Sequence, residues 1–239
     1  MKILLNTVLF CRTMLFRIVF WSFTVIYGSL SLLVLPFPYK WRFAFVTQWA
    51  RLMLWWLWLS CGVRYEIRGQ NNIPKEPCVI LCKHSSVWET LAAPLIFRMP
   101  AIVAKKSLLR IPFFGWMLAM CEPIAIDRKQ TSSAMKQVLQ QGKKRLEQGR
   151  KILLFPEGTR VPPGEAREYK PGGVLLAKRN HQKILPVSHN AGLFWSDKSF
   201  LIRPGKVIVT IGPLIDTHGK NIDTLNDMTK DWIEANTNV

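Results

Sequence analysis

The hydrophobic pattern changes character at Gly62. Before it, apolar residues run almost unbroken, and Ile18 to Leu35 carries no charge at all. A helix over that run would reach roughly 27 Å, near the lower limit for a bilayer's hydrocarbon. Pro36-Phe37-Pro38 stops it. A second apolar stretch, Phe43 to Val63, carries Arg51 at its middle and the run Leu54-Trp55-Trp56-Leu57-Trp58-Leu59. An arginine at the bilayer centre costs about 3 kcal/mol on insertion scales. The pattern therefore favours a helical hairpin dipping into one leaflet over two full spans. A cleaved signal peptide fits poorly, because no small-x-small site precedes Pro36. A buried helix pair of a soluble core would leave the tryptophans exposed.

Beyond Gly62 the periodicities of strands and helices alternate. Val63, Tyr65 and Ile67 alternate with polar residues, and Cys78 to Cys82 is a short apolar run suited to a strand covered on both faces. A helix is expected from Ser86 to Phe97, a strand over Ala101–Ala104, a helix over Ser107–Met120 despite Pro112, and a strand over Pro123–Asp127. Thr131–Gln148 places Met135, Val138, Leu139 and Leu146 on one helical face. Strands follow at Lys151–Phe155, Ile184–Val187 and Val207–Ile211, with helices over Gly173–Asn180 and Asp223–Ala235. The expected class is α/β: a mixed, mostly parallel central sheet flanked by helices, preceded by an N-terminal membrane-embedded hairpin. The domains are then a membrane-associated two-helix segment over 1–62 and an α/β domain over 63–239.

Composition sharpens this picture. With 49% apolar residues, disorder is excluded for most of the chain. Thirty-three Lys and Arg against 15 Asp and Glu give a net charge of +18, which calls for an anionic partner: nucleic acid, an anionic lipid surface or a phosphorylated substrate. No acid precedes Glu66, and six of the ten tryptophans lie in the first quarter, the composition of a membrane-interface segment. The aromatics are thus separated from the basic residues near strand ends, which argues against nucleic acid. Five cysteines without a paired CxxC pattern speak against a zinc site or a disulfide framework. Cys78 and Cys82 read as core residues of a strand and its edge.

Three constellations could carry chemistry. In Lys83-His84-Ser85-Ser86-Val87-Trp88-Glu89 a buried strand meets a helix, with an imidazole at the junction. With Ser86 as N-cap, Glu89 sits at N3 and leans back toward His84. That spacing allows an acid–imidazole dyad; it equally allows a capping box in which Glu89 bonds the Ser86 backbone and does nothing else. In Glu157-Gly158-Thr159-Arg160, the glycine permits close backbone approach and the arginine offers a fork for phosphate. An ordinary Glu–Arg turn is the bland alternative. Lys105, Lys106, Arg110 and Arg128 lie near strand ends or helix starts, where a solvated face is the default for any one of them. Lys170-Pro171-Gly172-Gly173 reads either as an anion-receiving turn or as a helix entry.

In this order, from Val63 to Val209, these segments resemble the glycerolipid acyltransferase family, specifically 1-acyl-sn-glycerol-3-phosphate acyltransferases. The family's His-x4-Asp motif reads His84-x4-Glu89, with a carboxylate one methylene longer. Its Gly-x5-Arg motif keeps Arg128 but has Glu122 where glycine is expected, which puts close backbone packing at that turn in question. Glu157 to Arg160 matches the third motif in full, and Ile184-Leu185-Pro186-Val187 resembles the fourth. The resemblance implies acyl transfer from acyl-CoA or acyl carrier protein to the sn-2 hydroxyl of lysophosphatidic acid, giving phosphatidic acid, with no cofactor and no metal. His84 would be the general base and Glu89 its orienting acid; Lys105, Arg128, Glu157, Gly158, Thr159 and Arg160 would bind the acceptor. A sibling acting on lyso-ornithine lipid or another lysophospholipid is the near alternative, and a non-catalytic binder of anionic membrane or nucleic acid the distant one. The expected location is a membrane, at the cytoplasmic face of a bacterial inner membrane.

Overall fold

The computed structural model describes residues 2–127 and 131–237. Two long helices lead. α1 spans Lys2–Ser31 and α2 spans Tyr39–Cys61, joined through a 3-10 turn at Leu32–Val34. α1 starts well before the uncharged run at Ile18 and takes in Arg12 and Arg17. Both guanidiniums are occupied by backbone carbonyls: Arg12 Nε donates to Ser60 O of α2 at 2.5 Å, and Arg17 donates to Phe200 O, beyond the hairpin, at 3.0 Å. Asn6–Val34 is long and apolar enough to cross a membrane, and much of it faces outward, including Leu15, Ile18, Trp21, Val25 and Ile26.

α2 behaves differently from the expected lipid-facing helix. One face, with Trp49, Met53 and Leu57, is buried against the sheet's own core, while Trp41, Trp55, Trp58 and Leu59 stay exposed. Arg51 is also exposed and bonds Gln48. Being apolar on every side, the helix can bury one stripe in protein and still present another to lipid. Gly62, at φ 71, ends it, and its N–H bonds Trp58 O at 2.8 Å.

Among the described residues seven strands follow: β1 Val63–Arg68, β2 Val79–Cys82, β3 Ala101–Lys105, β4 Ile124–Ile126, β5 Ile152–Leu154, β6 Ile184–His189 and β7 Gly205–Ile211. They form one sheet in the order β1-β7-β6-β2-β5-β3-β4. Every neighbouring pair is parallel except β6 and β7. Along β2 the side chains alternate between two buried layers. Ile80 and Cys82 pack with α1, α2, α3 (Trp88–Ile96) and α4 (Phe114–Met120). Val79 and Leu81 pack with α5 (Thr131–Glu147), α6 (Gly172–Arg179) and α7 (Ile222–Ala235). Burial on both faces explains the unbroken apolar run. The first of these clusters extends across Gly62, so the hairpin and the sheet share one core.

One expected helix is broken. In place of a continuous helix over Ser107–Met120 there is a 3-10 turn at Lys106–Arg110, a bend at Pro112 with Phe113 at φ 62, and then α4. Pro112 has no N–H to give and clashes with a preceding turn.

Glu122 lies just past α4 at φ 49, a conformation that glycine adopts freely and other residues resist. Its carboxylate is held by Arg42 of α2 at 3.1 Å, Arg145 of α5 at 2.9 Å and Arg150 at 3.3 Å. The turn keeps the backbone shape of the glycine motif and uses the acid to tie three segments together. Glu122→Gly and Glu122→Ala lose these ion pairs equally, but only alanine retains the left-handed strain. Thermal melting should find the glycine variant more stable than the alanine variant by about 1 kcal/mol.

Candidate active site

β6, β2 and β5 are adjacent and parallel, so the segments following them converge at one sheet end. His84 follows β2, the Glu157 turn follows β5 and His189 closes β6.

Glu89 is 2% exposed. Its Oε1 accepts from His84 Nδ1 at 2.8 Å and from the backbone N–H groups of Ser85 and Ser86, both at 2.9 Å. The two readings of this spacing are therefore both present in one carboxylate: it caps the helix start and it holds the imidazole. The helix itself begins at Trp88, whose N–H is received by Ser86 Oγ at 3.1 Å. Burial pushes the Glu89 carboxyl upward, but the imidazoles of His189 and His84 and the Ser86 N–H outweigh it and hold it below the usual carboxylate value. With an ionised acceptor on Nδ1, that nitrogen carries the proton and Nε2 carries the lone pair. The ring stacks on Phe155 at 4.1 Å between centroids and lines a cavity of about 450 Å³.

The Glu157 turn is bonded directly to His84. Val161 N–H donates to His84 O, and His84 N–H donates to Glu157 Oε2, each at 2.8 Å. Glu157 itself faces inward. It is 1% exposed, so its carboxylate is committed to the protein and not to a bound substrate. Burial pushes it up to about 7 against the pull of Lys83. Gly158 adopts φ 71 beneath Lys170, whose Nζ would lie 3.1 Å from an added Cβ. Thr159 is exposed. Arg160 lines the cavity, where its guanidinium donates to Asp197 at 2.7 Å. Lys105, at the end of β3, lines the same cavity. Arg128 lies outside the described residues. The missing Cβ of Gly173 lets α6 seat against Leu81 and Leu154, which favours the helix-entry reading of that turn.

Away from these polar groups the cavity is apolar. It runs between α1, α2 and α4, with Phe20, Val46, Trp49, Phe114 and Met117 among its walls. Such a lining suits a hydrocarbon chain, and the His84 imidazole and the cations Arg17, Lys105 and Arg160 line the same space.

Several residues at the site escaped the sequence reading. His189 lies 3.8 Å from Glu89 Oε2, and its Nε2 donates to Lys83 O at 2.8 Å. Burial, its largest influence, lowers the basicity of this ring. Cys82 pairs with Val187 in the sheet, so histidines two residues beyond each were a readable signal. Asp197 sits on the long connection between β6 and β7, which carried none.

The chain is similar to known acyltransferases in sequence and in fold. The family model described as "Acyltransferase" matches residues 64–190. The 1-acyl-sn-glycerol-3-phosphate acyltransferase of Pseudomonas aeruginosa is 41% identical over 96% of this chain and 91% of its own. The enzyme of that name from Borreliella burgdorferi is 35% identical over 67% of this chain and 64% of its own. The crystal structure of the 1-acyl-sn-glycerophosphate acyltransferase PlsC from Thermotoga maritima superposes with a TM-score of 0.78, covering 98% of this chain and 95% of that one at 22% identity.

The buried Glu157 makes a stability prediction. Its folded value of about 7 lies above the ordinary carboxylate value of 4.5, so the folded state binds the extra proton. Its contribution is full below the unfolded value and is lost as pH rises through the folded one. Between about pH 4.5 and 7 the wild type should therefore lose on the order of 3 kcal/mol relative to Glu157→Gln, read from melting curves of both across that range.

Proposed function

This chain belongs to the acyltransferase family, and from that premise we propose that it moves a fatty acyl group from acyl-CoA or acyl carrier protein to the sn-2 hydroxyl of 1-acyl-glycerol-3-phosphate, giving phosphatidic acid. The observation that carries the reading is an imidazole whose Nδ1 is held by a buried carboxylate and which lines an apolar cavity shared with Lys105 and Arg160. The names of the relatives supply the acceptor.

In this reading the lysolipid enters from the bilayer with its chain along the hairpin's apolar wall. Its phosphate meets Lys105 and Arg160, displacing Asp197 from the guanidinium. His84 Nε2 takes the proton of the acceptor hydroxyl as the oxygen attacks the thioester carbonyl. The imidazolium formed is stabilised by Glu89, which stays ionised. The tetrahedral intermediate collapses with cleavage of the C–S bond, and the leaving thiolate takes the proton back from Nε2. General-base assistance of this kind is worth about 10²–10⁴ in rate. Both substrates must be held in register for the remainder.

The membrane reading is supported by the outward apolar side chains of α1 and by the exposed tryptophans of α2, with Trp116 of α4 nearby. Arg12 and Arg17 are tied to protein carbonyls and Arg51 is exposed, which favours a hairpin seated in one leaflet. Five free cysteines and a thioester donor favour the cytoplasmic face.

Thiol release from oleoyl-CoA on adding lysophosphatidic acid tests the reading. Wild type should release thiol, and a folded His84→Ala variant should fall by about 10²-fold or more. Equal release from both would remove the base from His84. Arg160→Ala should raise the acceptor KM on the order of 10- to 100-fold while leaving the donor KM in place. A change confined to the donor term would contradict the phosphate assignment.

A further inference from the structure

Lys83 stands between the buried end of β2 and His84, and the reaction above gives it nothing to do. It is nevertheless 3% exposed, an unusual position for an ammonium. Its Nζ lies 3.0 Å from Glu157 Oε1 and donates to both oxygens of Glu234, at 2.7 and 2.8 Å. Tyr169 OH donates to Glu234 Oε1 at 2.8 Å. The other oxygen of Glu157 receives the His84 N–H. A continuous path of ion pairs and charge-assisted hydrogen bonds thus leads from α7 to the main chain of the base.

The start of that path is fixed. Ser188 Oγ, on β6, donates to Ile233 O at 2.9 Å and shares a 2.8 Å bond with Thr237, so the end of α7 is fastened beside the site. Glu234 also lies beyond the residues 64–190 that the family model matches. The groups facing Glu157 are Cys82 from β2 and Lys83 just after it, Glu234 from α7, Tyr169 from the segment ahead of α6, and the His84 N–H. Lys83 is the one cation among them, and two carboxylates share it.

We propose that Glu157, Lys83 and Glu234 are positioning residues that fix the main chain of His84, so that the C-terminal helix sets the aim of the catalytic imidazole. The proposal rests on His84 as the base, and it assigns Glu157 to the protein's own backbone in place of the acceptor. A carboxylate accepts on both oxygens, whereas an amide accepts on one and donates from the other side. Glu157→Gln can therefore satisfy His84 N–H or oppose Lys83 correctly, but not both. Glu234→Gln weakens the hold on Lys83 from a position remote from the acceptor's route.

The test is steady-state kinetics of the full chain in vesicles, with oleoyl-CoA and lysophosphatidic acid, for wild type, His84→Ala, Glu157→Gln, Glu234→Gln and the Glu157→Gln/Glu234→Gln double variant. Each single carboxylate variant should lose about tenfold or more in kcat, since small misplacements of a reacting group are costly, with both KM values unchanged within about twofold. The double variant should be no worse than the weaker single one, because both act through Lys83. Glu234→Asp should recover part of the loss. If Glu157→Gln fails to melt cooperatively, Glu234→Gln and Tyr169→Phe carry the test, since the Glu234 side chain is 26% exposed and tolerates the change. A raised acceptor KM at unchanged kcat, losses that multiply, or an unaffected Glu234→Gln would overturn the proposal. Full activity in His84→Ala would instead remove the base, which is a separate failure.

Discussion

A carboxylate withdrawn from water must be given donors or be neutralised. Around Glu89 the chain supplies three on one oxygen: the His84 imidazole and two successive backbone N–H groups at a helix start. Much else follows from that requirement. The helix must begin where β2 ends, so that its free N–H groups point at the acid. The imidazole is then held at Nδ1, which leaves Nε2 as the nitrogen the acid does not hold. The stacked Phe155 ring limits how that imidazole can tilt. Behind it a second buried acid, Glu157, grips the same residue by its backbone N–H. One face of the histidine is therefore fixed by protein, and the other is available for chemistry.

The remainder of the molecule divides the work between charge and oil. The sheet ends collect the polar groups, while the hairpin and α4 provide a hydrocarbon-lined space opening from the same point. Neither half suffices for a lipid with an anionic head. The hairpin is joined to the sheet by a shared apolar core and by Arg42 on Glu122, so its position relative to the imidazole is set by packing. The connection between β6 and β7 completes the arrangement: Trp195 meets Phe16 of α1 edge-on at 5.2 Å, and Asp197 holds Arg160 two residues later.

The sequence made the architecture legible because both of its periodicities are clean. Ile80 and Cys82 against Val79 and Leu81 announce a strand covered on both sides, and the expected α/β class is the one observed. Within the site, His84 and Glu89 were visible as a pair, but their spacing could not reveal that capping and imidazole binding share one oxygen. Three things were hidden for physical reasons. Lys83 looked like a flank because its partners, Glu157 and Glu234, are 74 and 151 residues away. Glu157 looked like a ligand contact, since a turn gives no sign of which way its acid points. Trp49, Met53 and Leu57 could not be separated from their lipid-facing neighbours, because a helix apolar all round has no direction to read. Pro112 was a breaker in plain view, and the backbone obeyed it.

The state of the His84 ring tests the central claim most directly. Nitrogen NMR on the full chain in vesicles, labelled at its four histidines, can report which ring nitrogen holds the proton, with His84 identified by the signal missing from His84→Ala. At about pH 8.5, where a free imidazole is neutral, the account predicts a protonated Nδ1 and a bare Nε2 for His84, with Glu89→Gln redistributing the two. A wild-type ring protonated at Nε2 would contradict it, since that nitrogen would then have no lone pair for an incoming hydroxyl.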